Sequence, residues 1–406
     1  MPSVWNPSEI VTLLIGLVAL VAGIRVYRRF ESIQRLNIPP PVIGGLIVAA
    51  ATLALYYALA LEVKFARELR DVLLLFFFAT IGLSSRLAAL KRGGVPLAIL
   101  CACVVVLLVV QNLAGLLVVS AFGEHPFYGL LMGSASFMGG PGTAMAWAQE
   151  ATDHFGLVKA PEIGIAAATI AVVAGAVVSG PVAGYLVNRH KLGHTPHPGQ
   201  VSWMAETDDE APRRTATVDQ VLAALLAIGL AVVLGEIAND WGRARDFVLP
   251  GFLTAMLAGV VLGNLLHAFR RPLDLEAIEH SGEIALQIFL VLSLMSLRLW
   301  TVGDAIWPLV INAFVQIALS CLVAVFLLFR LLGRDYDAAV TAGGFLGFGL
   351  SSMPVAMATM EQVASRHGPS AKAFLLITLC GSIFVDLANA LIIKAFLALP
   401  LFVPQP

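Results

Sequence analysis

Two uncharged segments combine helix-breaking residues with hydroxyl groups, a combination that can bind a small anion and a small cation. Pro126–Gln149 runs 24 residues without a charge, and Ala338–Met360 runs 23. Each interior Gly costs a helix about 1 kcal/mol and each Pro about 3 kcal/mol, so both segments should break. A broken helix exposes N–H groups that attract carboxylates and carbonyl groups that attract cations. The two segments therefore predict ion-binding sites.

The candidates for an anionic substrate are glycines that let the backbone approach a ligand, hydroxyl side chains, and one basic residue at the end of an apolar run. They are Thr80, Gly139, Gly140, Gly142, Thr143, Arg298, Ser351 and Ser352. Other roles stay open for them. The glycines could serve close helix packing, Thr80 could form an interhelical hydrogen bond, and Arg298 could anchor its helix at the membrane interface.

The candidates for a cation such as sodium supply carboxylate, amide or backbone oxygens inside apolar sequence. They are Gln111, Gly347, Gly349, Asp386 and Asn389. A carboxylate in a membrane span costs roughly 2.5–3.5 kcal/mol on insertion scales and usually has a function. The i, i+3 spacing of Asp386 and Asn389 puts both side chains on one helix face. A structural hydrogen bond to a neighbouring helix is the alternative for this pair.

The elements that position these residues are membrane spans. The composition is 59% hydrophobic and 13% charged, against about 25% charged in soluble domains. Runs of about 20 apolar residues predict an all-α polytopic membrane protein with ten spans: Ile10–Ile24, Val42–Leu61, Val72–Leu90, Val95–Phe122, Ile163–Asn188, Val218–Ala238, Gly251–Phe269, Ile284–Leu299, Ala305–Leu332 and Ala373–Leu399.

The spans divide into two halves with one broken segment each. Residues 1–188 form the first repeat, with a hairpin at about 126–149. Residues 189–217 form a polar cytoplasmic linker, and residues 218–406 form the second repeat, with a hairpin at about 338–362. Weak echoes, such as Gln111 in the fourth span and Gln316 in the ninth, support an internal repeat. Five spans in each half predict that the repeats are inverted and that each broken segment is a re-entrant hairpin.

Orientation follows from the basic residues. If the N-terminus lies outside, most of the 25 Lys and Arg residues fall in inside loops, so the positive-inside rule predicts both termini on the outer face. The start of the chain lacks a basic n-region, which predicts an uncleaved first span. Cys101, Cys103, Cys321 and Cys380 lie in apolar runs and are expected to be core residues rather than metal ligands or disulfides.

The chain resembles the bacterial sodium/glutamate symporter family over nearly its whole length. The resemblance is carried by Asn37-Ile38-Pro39, Gly44-Gly45, Leu69-Arg70-Asp71, Phe77–Leu83, Gln111-Asn112, Gly139-Gly140, Gly142-Thr143, Ala146-Trp147, Gly180–Ala183, Tyr336–Val340, Gly347–Leu350, Asp386 and Asn389–Leu391. It implies sodium-coupled uptake of L-glutamate across the bacterial inner membrane. It also implies a homodimer that works by an elevator-like alternating access, with sodium as the coupling ion and no nucleic-acid partner.

Two departures from the family pattern bear on the substrate. Pro141 stands between the glycines of the first hairpin, where the family usually has His. Ser351-Ser352-Met353-Pro354 stands where a Gly-Ala-Thr-Pro ending is expected. Another small carboxylate or acidic amino acid is therefore the alternative substrate. A channel is a second alternative, and an enzyme is disfavoured because the His-Glu-x-x-His and Walker motifs are missing.

Overall fold

Helix covers most of the residues that the computed structural model describes, which are 3–31, 34, 39–90, 93–192, 217–243, 249–269, 273–297 and 306–402. In the first half the helices are α1 (Glu9–Arg29), α2 (Pro40–Leu59), α3 (Glu68–Ser84), α4 (Leu87–Leu90), α5 (Gly94–Ala121), α6 (Pro126–Leu130), α7 (Gly140–Phe155) and α8 (Ala160–Arg189). Most of the predicted linker, 193–216, lies outside the described residues.

In the second half the helices are α9 (Val218–Arg243), α10 (Gly251–Ala268), α11 (Leu275–Met295), α12 (Ile306–Leu322), α13 (Phe329–Leu331), α14 (Tyr336–Leu350), α15 (Met353–His367), α16 (Ala371–Cys380) and α17 (Asp386–Leu397), followed by a 3-10 turn at Pro400–Phe402. Short π-helical stretches lie at Leu131–Ala135, Val323–Leu328 and Gly381–Val385. Only one β pair occurs in the described part, between β1 (Ser3–Trp5) and β2 (Leu61–Val63), which run parallel.

The prediction of an all-α polytopic membrane protein is confirmed. Within the described residues, nine helices are long and apolar enough to cross a membrane. The tenth predicted span is α3, whose 17 residues lie at the lower limit of roughly 17–25 for a spanning helix. The sequence placed its end at Leu90, but the helix ends at Ser84. Large apolar side chains such as Leu117 and Phe314 remain exposed, as expected of surfaces that face lipid.

Six helices form a first bundle in which the two halves pack reciprocally. Helix α3 packs on α10, and α11 packs on α2; α1 packs on α11, and α9 packs on α3. Glycines allow the backbones to approach closely: a Cβ on Gly82 would lie 2.1 Å from the carbonyl oxygen of Met256, and one on Gly259 would lie 2.6 Å from that of Ala79. Small residues at crossing points are the usual means of helix association in membranes.

The second bundle contains α5, α8, α12, the two broken segments, and α16–α17. Its helices share one apolar core that includes Leu107, Phe345 and Ile377. Helix α5 packs on α12, and α14 packs on α8. The two bundles touch where α11 meets α7, where the turn at Gly381–Val385 meets α3, and where the rings of Trp147 and Phe252 lie 5.1 Å apart. A second apolar core spans this boundary, and the broken segments lie beside it.

Candidate functional site

The second broken segment is a hairpin. A Cβ on Gly347 would lie 2.4 Å from Cα of Ala356, and one on Gly344 would lie 2.5 Å from Sδ of Met360. In these two pairs the residue number falls on one arm as it rises on the other, which shows that the two arms run antiparallel. The arms separate at Ser351 and Ser352, where the backbone leaves the helical region. At the other end of the hairpin, the Tyr336 hydroxyl donates a hydrogen bond to the Gly368 carbonyl.

The first broken segment also folds back on itself. The rings of Phe127 and Phe155, near its two ends, lie 5.0 Å apart. The chain departs from helical geometry at Gly133, with φ −91° and ψ −131°, and reverses at Gly139 and Gly140. Gly140 has φ +68°, a left-handed conformation that costs other residues roughly 1–2 kcal/mol.

The tips of the two hairpins meet. A Cβ on Gly140 would lie 3.1 Å from the Ser351 carbonyl oxygen, and a Cβ on Gly349 would lie 3.9 Å from Cε of Met138. Gly140, Thr143, Gly347, Gly349 and Ser351 are all buried. The structure thus brings together the glycine- and hydroxyl-bearing segments that the sequence analysis paired, although they lie about 200 positions apart in the chain.

Amide side chains of α5 and α12 hold both hairpins by their backbones. Nε2 of Gln111 donates to the Gly349 carbonyl oxygen at 2.9 Å, next to the second tip. Nδ2 of Asn312 donates to the Met132 carbonyl oxygen in the first hairpin at 2.5 Å. Nε2 of Gln316 donates to the Gln111 carbonyl oxygen at 2.8 Å, which joins the two supporting helices. All three amides are buried.

A second cluster joins the first hairpin to α5 and α17. Oγ of Ser134 lies 2.9 Å from Oδ1 of Asn112 and 2.7 Å from Oδ1 of Asn389. Because a hydroxyl carries one proton, it donates to only one of these oxygens at a time. The Ser134 N–H also donates to Asn112 Oδ1 at 3.1 Å, and Asn389 Nδ2 donates to the Ser134 carbonyl oxygen at 3.1 Å. Three oxygens therefore converge with one shared proton.

Two side-chain oxygens near the tips accept no hydrogen bond from the described residues. They are Oε1 of Gln111 and Oε1 of Gln316, both buried. An unsatisfied buried polar atom costs about 1–3 kcal/mol, so each one calls for an explanation. The Asp386 carboxylate, half-buried and one turn before Asn389, likewise has no hydrogen bond or ion pair within the described part of the chain. These oxygens are acceptors, which suits a cation, whereas Nδ2 of Asn112 is a buried donor that also lacks a partner among the described residues.

One predicted substrate ligand, Thr80, is engaged away from the tips. The Thr80 hydroxyl donates to the Phe77 carbonyl oxygen of its own helix at 2.7 Å, and the side chain packs on Gly282 of α11. The hydrogen bond stays within α3, so it is not the interhelical hydrogen bond that the sequence offered as the alternative, although the side chain packs against α11. Arg298 lies outside the described residues. Gly142, by contrast, faces Leu286 and Phe77 of the first bundle, so the first tip also borders that bundle.

Sequence reasoning missed three polar residues of these clusters as candidate ligands. They are Ser134, Asn312 and Gln316. The available signal was their polarity within apolar runs, and Gln316 had been noted only as the echo of Gln111. A polar group buried inside a span costs free energy unless it is hydrogen-bonded. Each of these residues therefore indicated a hydrogen bond, but the sequence did not identify its partner.

Comparison with known proteins matches residues 7–369 to the family model described as Sodium/glutamate symporter. A sodium/glutamate symporter of Escherichia coli is 38% identical over 401 residues, covering 98% of this chain and 99% of the relative. One of Haemophilus influenzae is 36% identical over 389 residues, covering 95% and 96%. Among solved structures, the sodium proton antiporter MjNhaP1 of Methanocaldococcus jannaschii aligns over 98% of this chain and 99% of its own, with 17% identity and a TM-score of 0.44.

Proposed function

The chain belongs to the sodium/glutamate symporter family, and on that premise we propose that it takes up L-glutamate together with sodium by alternating access. Relatives that are 36–38% identical over nearly their full length carry that name, which makes this chain a transporter rather than an enzyme. The observation that carries the proposal is the meeting of the two hairpin tips at Gly140 and Ser351. Interrupted helices that meet inside a bundle are the typical binding site of secondary transporters.

The proposed sodium ligands are oxygens of the two hydrogen-bonded clusters at the hairpins. Asn389, Asn112 and Ser134 place three oxygens around one point with a single shared proton. Asp386 adds a negative charge one turn away on the same helix. Gln111 and the backbone of Gly347 and Gly349 belong to the second tip, and the free oxygen of Gln316 adds to that group. Hard oxygen ligands of this kind are those that small cations prefer.

The proposed substrate contacts lie at the tips of the hairpins. Gly139, Gly140, Gly142 and Thr143 open α7, whose N-terminal N–H groups attract a carboxylate. The Ser351 carbonyl oxygen faces Gly140 from the second hairpin, and the Ser351 and Ser352 hydroxyls lie 3.4 Å apart beside it. Thr80 and Arg298 are less well supported, since Thr80 is committed to its own helix and to Gly282.

The proposed motion is that of the second bundle, which holds both hairpins, against the first. Support comes from the reciprocal packing of α1–α3 with α9–α11, which suits a rigid scaffold with internal two-fold symmetry. We propose that the repeats are inverted, that both termini face outward in the bacterial inner membrane, and that the first bundle also carries the contact of a homodimer.

The test is uptake by purified protein in liposomes. We expect saturable accumulation of radiolabelled glutamate when sodium is imposed outside, and none when choline replaces it. A panel of aspartate, glutamine and glutarate separates an acidic amino-acid transporter from a carrier of other small carboxylates. Conductance without saturable, sodium-dependent accumulation would support a channel and contradict the proposal.

A further inference from the structure

A polar cavity of about 240 Å³ lies between the two bundles. The first bundle contributes the start of α3 and the end of α11, and the second contributes α7 and the start of α8. This volume is below the roughly 300–1,000 Å³ of sites for drug-sized ligands, which suits an amino acid. The lining residues that carry charge or hydrogen-bonding groups include Arg67, Arg70, Gln149, Asp153, Glu162 and Ser293. Arg67 and Asp153 are exposed, whereas Glu162 and Ser293 are buried.

The cavity continues the face of α7 that begins at the first hairpin tip. Gly142, at the tip, faces Phe77 and Leu286 of the first bundle. Met145, Gln149 and Asp153 follow at helical spacing and line the cavity. On the opposite wall, α3 runs from Arg67 and Arg70 in the cavity to Phe77 at the tip. The cavity therefore lies directly beyond the tip, along the boundary between the bundles.

The charges of the cavity fit a ligand that carries both signs. Arg67 and Arg70 supply two guanidinium groups, whose planar donors suit carboxylates. Arg70 is engaged on one side, because Nε and Nη2 both donate to Oδ1 of Asp71, at 2.9 and 2.7 Å, and its remaining N–H groups are left for other acceptors. Asp153 and the buried Glu162 supply carboxylates on the α7–α8 wall. A simple anion would be repelled by the carboxylates, and a simple cation would be repelled by the guanidinium groups.

We propose that this cavity is an entry site for an α-amino dicarboxylate, bound before it reaches the hairpin tips. This inference rests on the proposed function. The two guanidinium groups hold the carboxylates of the substrate, and the carboxylates of Asp153 and Glu162 hold its ammonium group. Because its walls belong to different bundles, movement of one bundle against the other would change the cavity and release the ligand towards the tip.

The test uses two variants that remove one charge each and keep a polar side chain. Arg67→Gln should raise the KM for glutamate about 10-fold or more with little change in the maximal rate, since a hydrogen bond to a charged group is worth that factor or more. Arg67→Lys should recover part of the affinity. Asp153→Asn should also raise the KM and should reduce the preference for glutamate over glutarate, which lacks the ammonium group. Arg29→Gln, at the exposed end of α1, is the matched control and should leave the KM unchanged.

The outcomes separate the entry site from the proposed function. Sodium-dependent glutamate uptake by the unaltered protein, with an unchanged KM in both Arg67→Gln and Asp153→Asn, would overturn the entry site and leave the function standing. Absence of sodium-dependent glutamate uptake in the unaltered protein would overturn both. A fall in maximal rate alone, with the KM and the glutamate-to-glutarate preference intact, would show that these residues support the structure and do not bind the ligand.

Discussion

Gly140 and Gly156 adopt the same left-handed backbone but differ in what surrounds them. Their φ values are +68° and +67°. A Cβ on Gly140 would lie 3.1 Å from the Ser351 carbonyl oxygen at the opposite tip, whereas a Cβ on Gly156 would meet nothing within 4 Å. The pair therefore separates backbone strain from the contact between the tips.

Gly140→Ala should lower the maximal rate of uptake at least 10-fold, and Gly156→Ala should leave it nearly unchanged. Both variants should lose a similar stability of roughly 1–2 kcal/mol, because both place a side chain at positive φ. Thermal unfolding in detergent and initial uptake rates in liposomes measure the two effects. Equal loss of uptake in both variants would show that the tip contact has no special role.

Asp386 is a half-buried carboxylate within a membrane span and has no partner among the described residues. Asp386→Asn keeps its shape and removes its charge, so the half-saturating sodium concentration should rise about 10-fold or more while the protein still assembles. Ser382→Ala is the control, since Ser382 is exposed on the same turn and its hydroxyl donates to its own helix at 2.6 Å. Sodium titration of glutamate uptake is the measurement. An unchanged sodium response would make Asp386 a structural residue.

At the scale of helices, the proposed motion depends on contacts that break between the bundles and persist within them. Gly142 of α7 faces Leu286 of α11, with a Cβ position 3.0 Å from Cδ1 of the leucine. Replacing both by Cys creates a pair of thiols across the two bundles. The cysteine at position 286 is smaller than leucine and so leaves space for the side chain added at position 142. The sulfurs of Cys101 and Cys380, which lie 3.8 Å apart, form a native pair inside the second bundle.

Oxidation of the Gly142→Cys, Leu286→Cys pair should stop uptake, and a reductant should restore it. The double variant is made in a background without the four native cysteines, and its reduced form provides the baseline. A second background that keeps only Cys101 and Cys380 should transport equally well before and after oxidation, with the cross-link followed by counting free thiols. Full uptake by the cross-bundle form would contradict movement of one bundle against the other.

At the scale of the whole molecule, inverted repeats place the N-terminus and the start of the second half on opposite faces of the membrane. Five crossings separate Ser3 from Thr217 if the first hairpin enters and leaves by one face. Six would separate them if that segment crossed fully. Both residues are exposed, so both positions are suitable for labelling.

An impermeant thiol reagent added to intact cells should label Ser3→Cys and leave Thr217→Cys unlabelled, in a background without native cysteines. The physical reason is the positive-inside rule, which assigns most of the basic loops to the cytoplasm. Labelling after the membrane is made permeable is the control for reactivity at Thr217→Cys. If both positions react from the outside, the inverted-repeat proposal fails.

The sequence by itself determined the spans and the places where they break. Apolar runs of about 20 residues are a local property, and so are the glycines and prolines that interrupt Pro126–Gln149 and Ala338–Met360. The errors were of the expected local kind, such as the end of α3 at Ser84. A family resemblance spread over many segments also gave the class of protein, which the relatives confirm.

The tertiary structure decided which polar groups face one another. The spacing of residues along the chain did not predict that Asn112 and Asn389 contact Ser134. It also did not predict that Gln316 contacts Gln111 or that Thr80 packs on Gly282. Periodicity gives the face of a helix on which a residue lies, whereas its partner depends on how two distant helices cross and on the depth at which they do so. Buried hydrogen bonds are set by that crossing, because each amide must find its partner within about 3 Å.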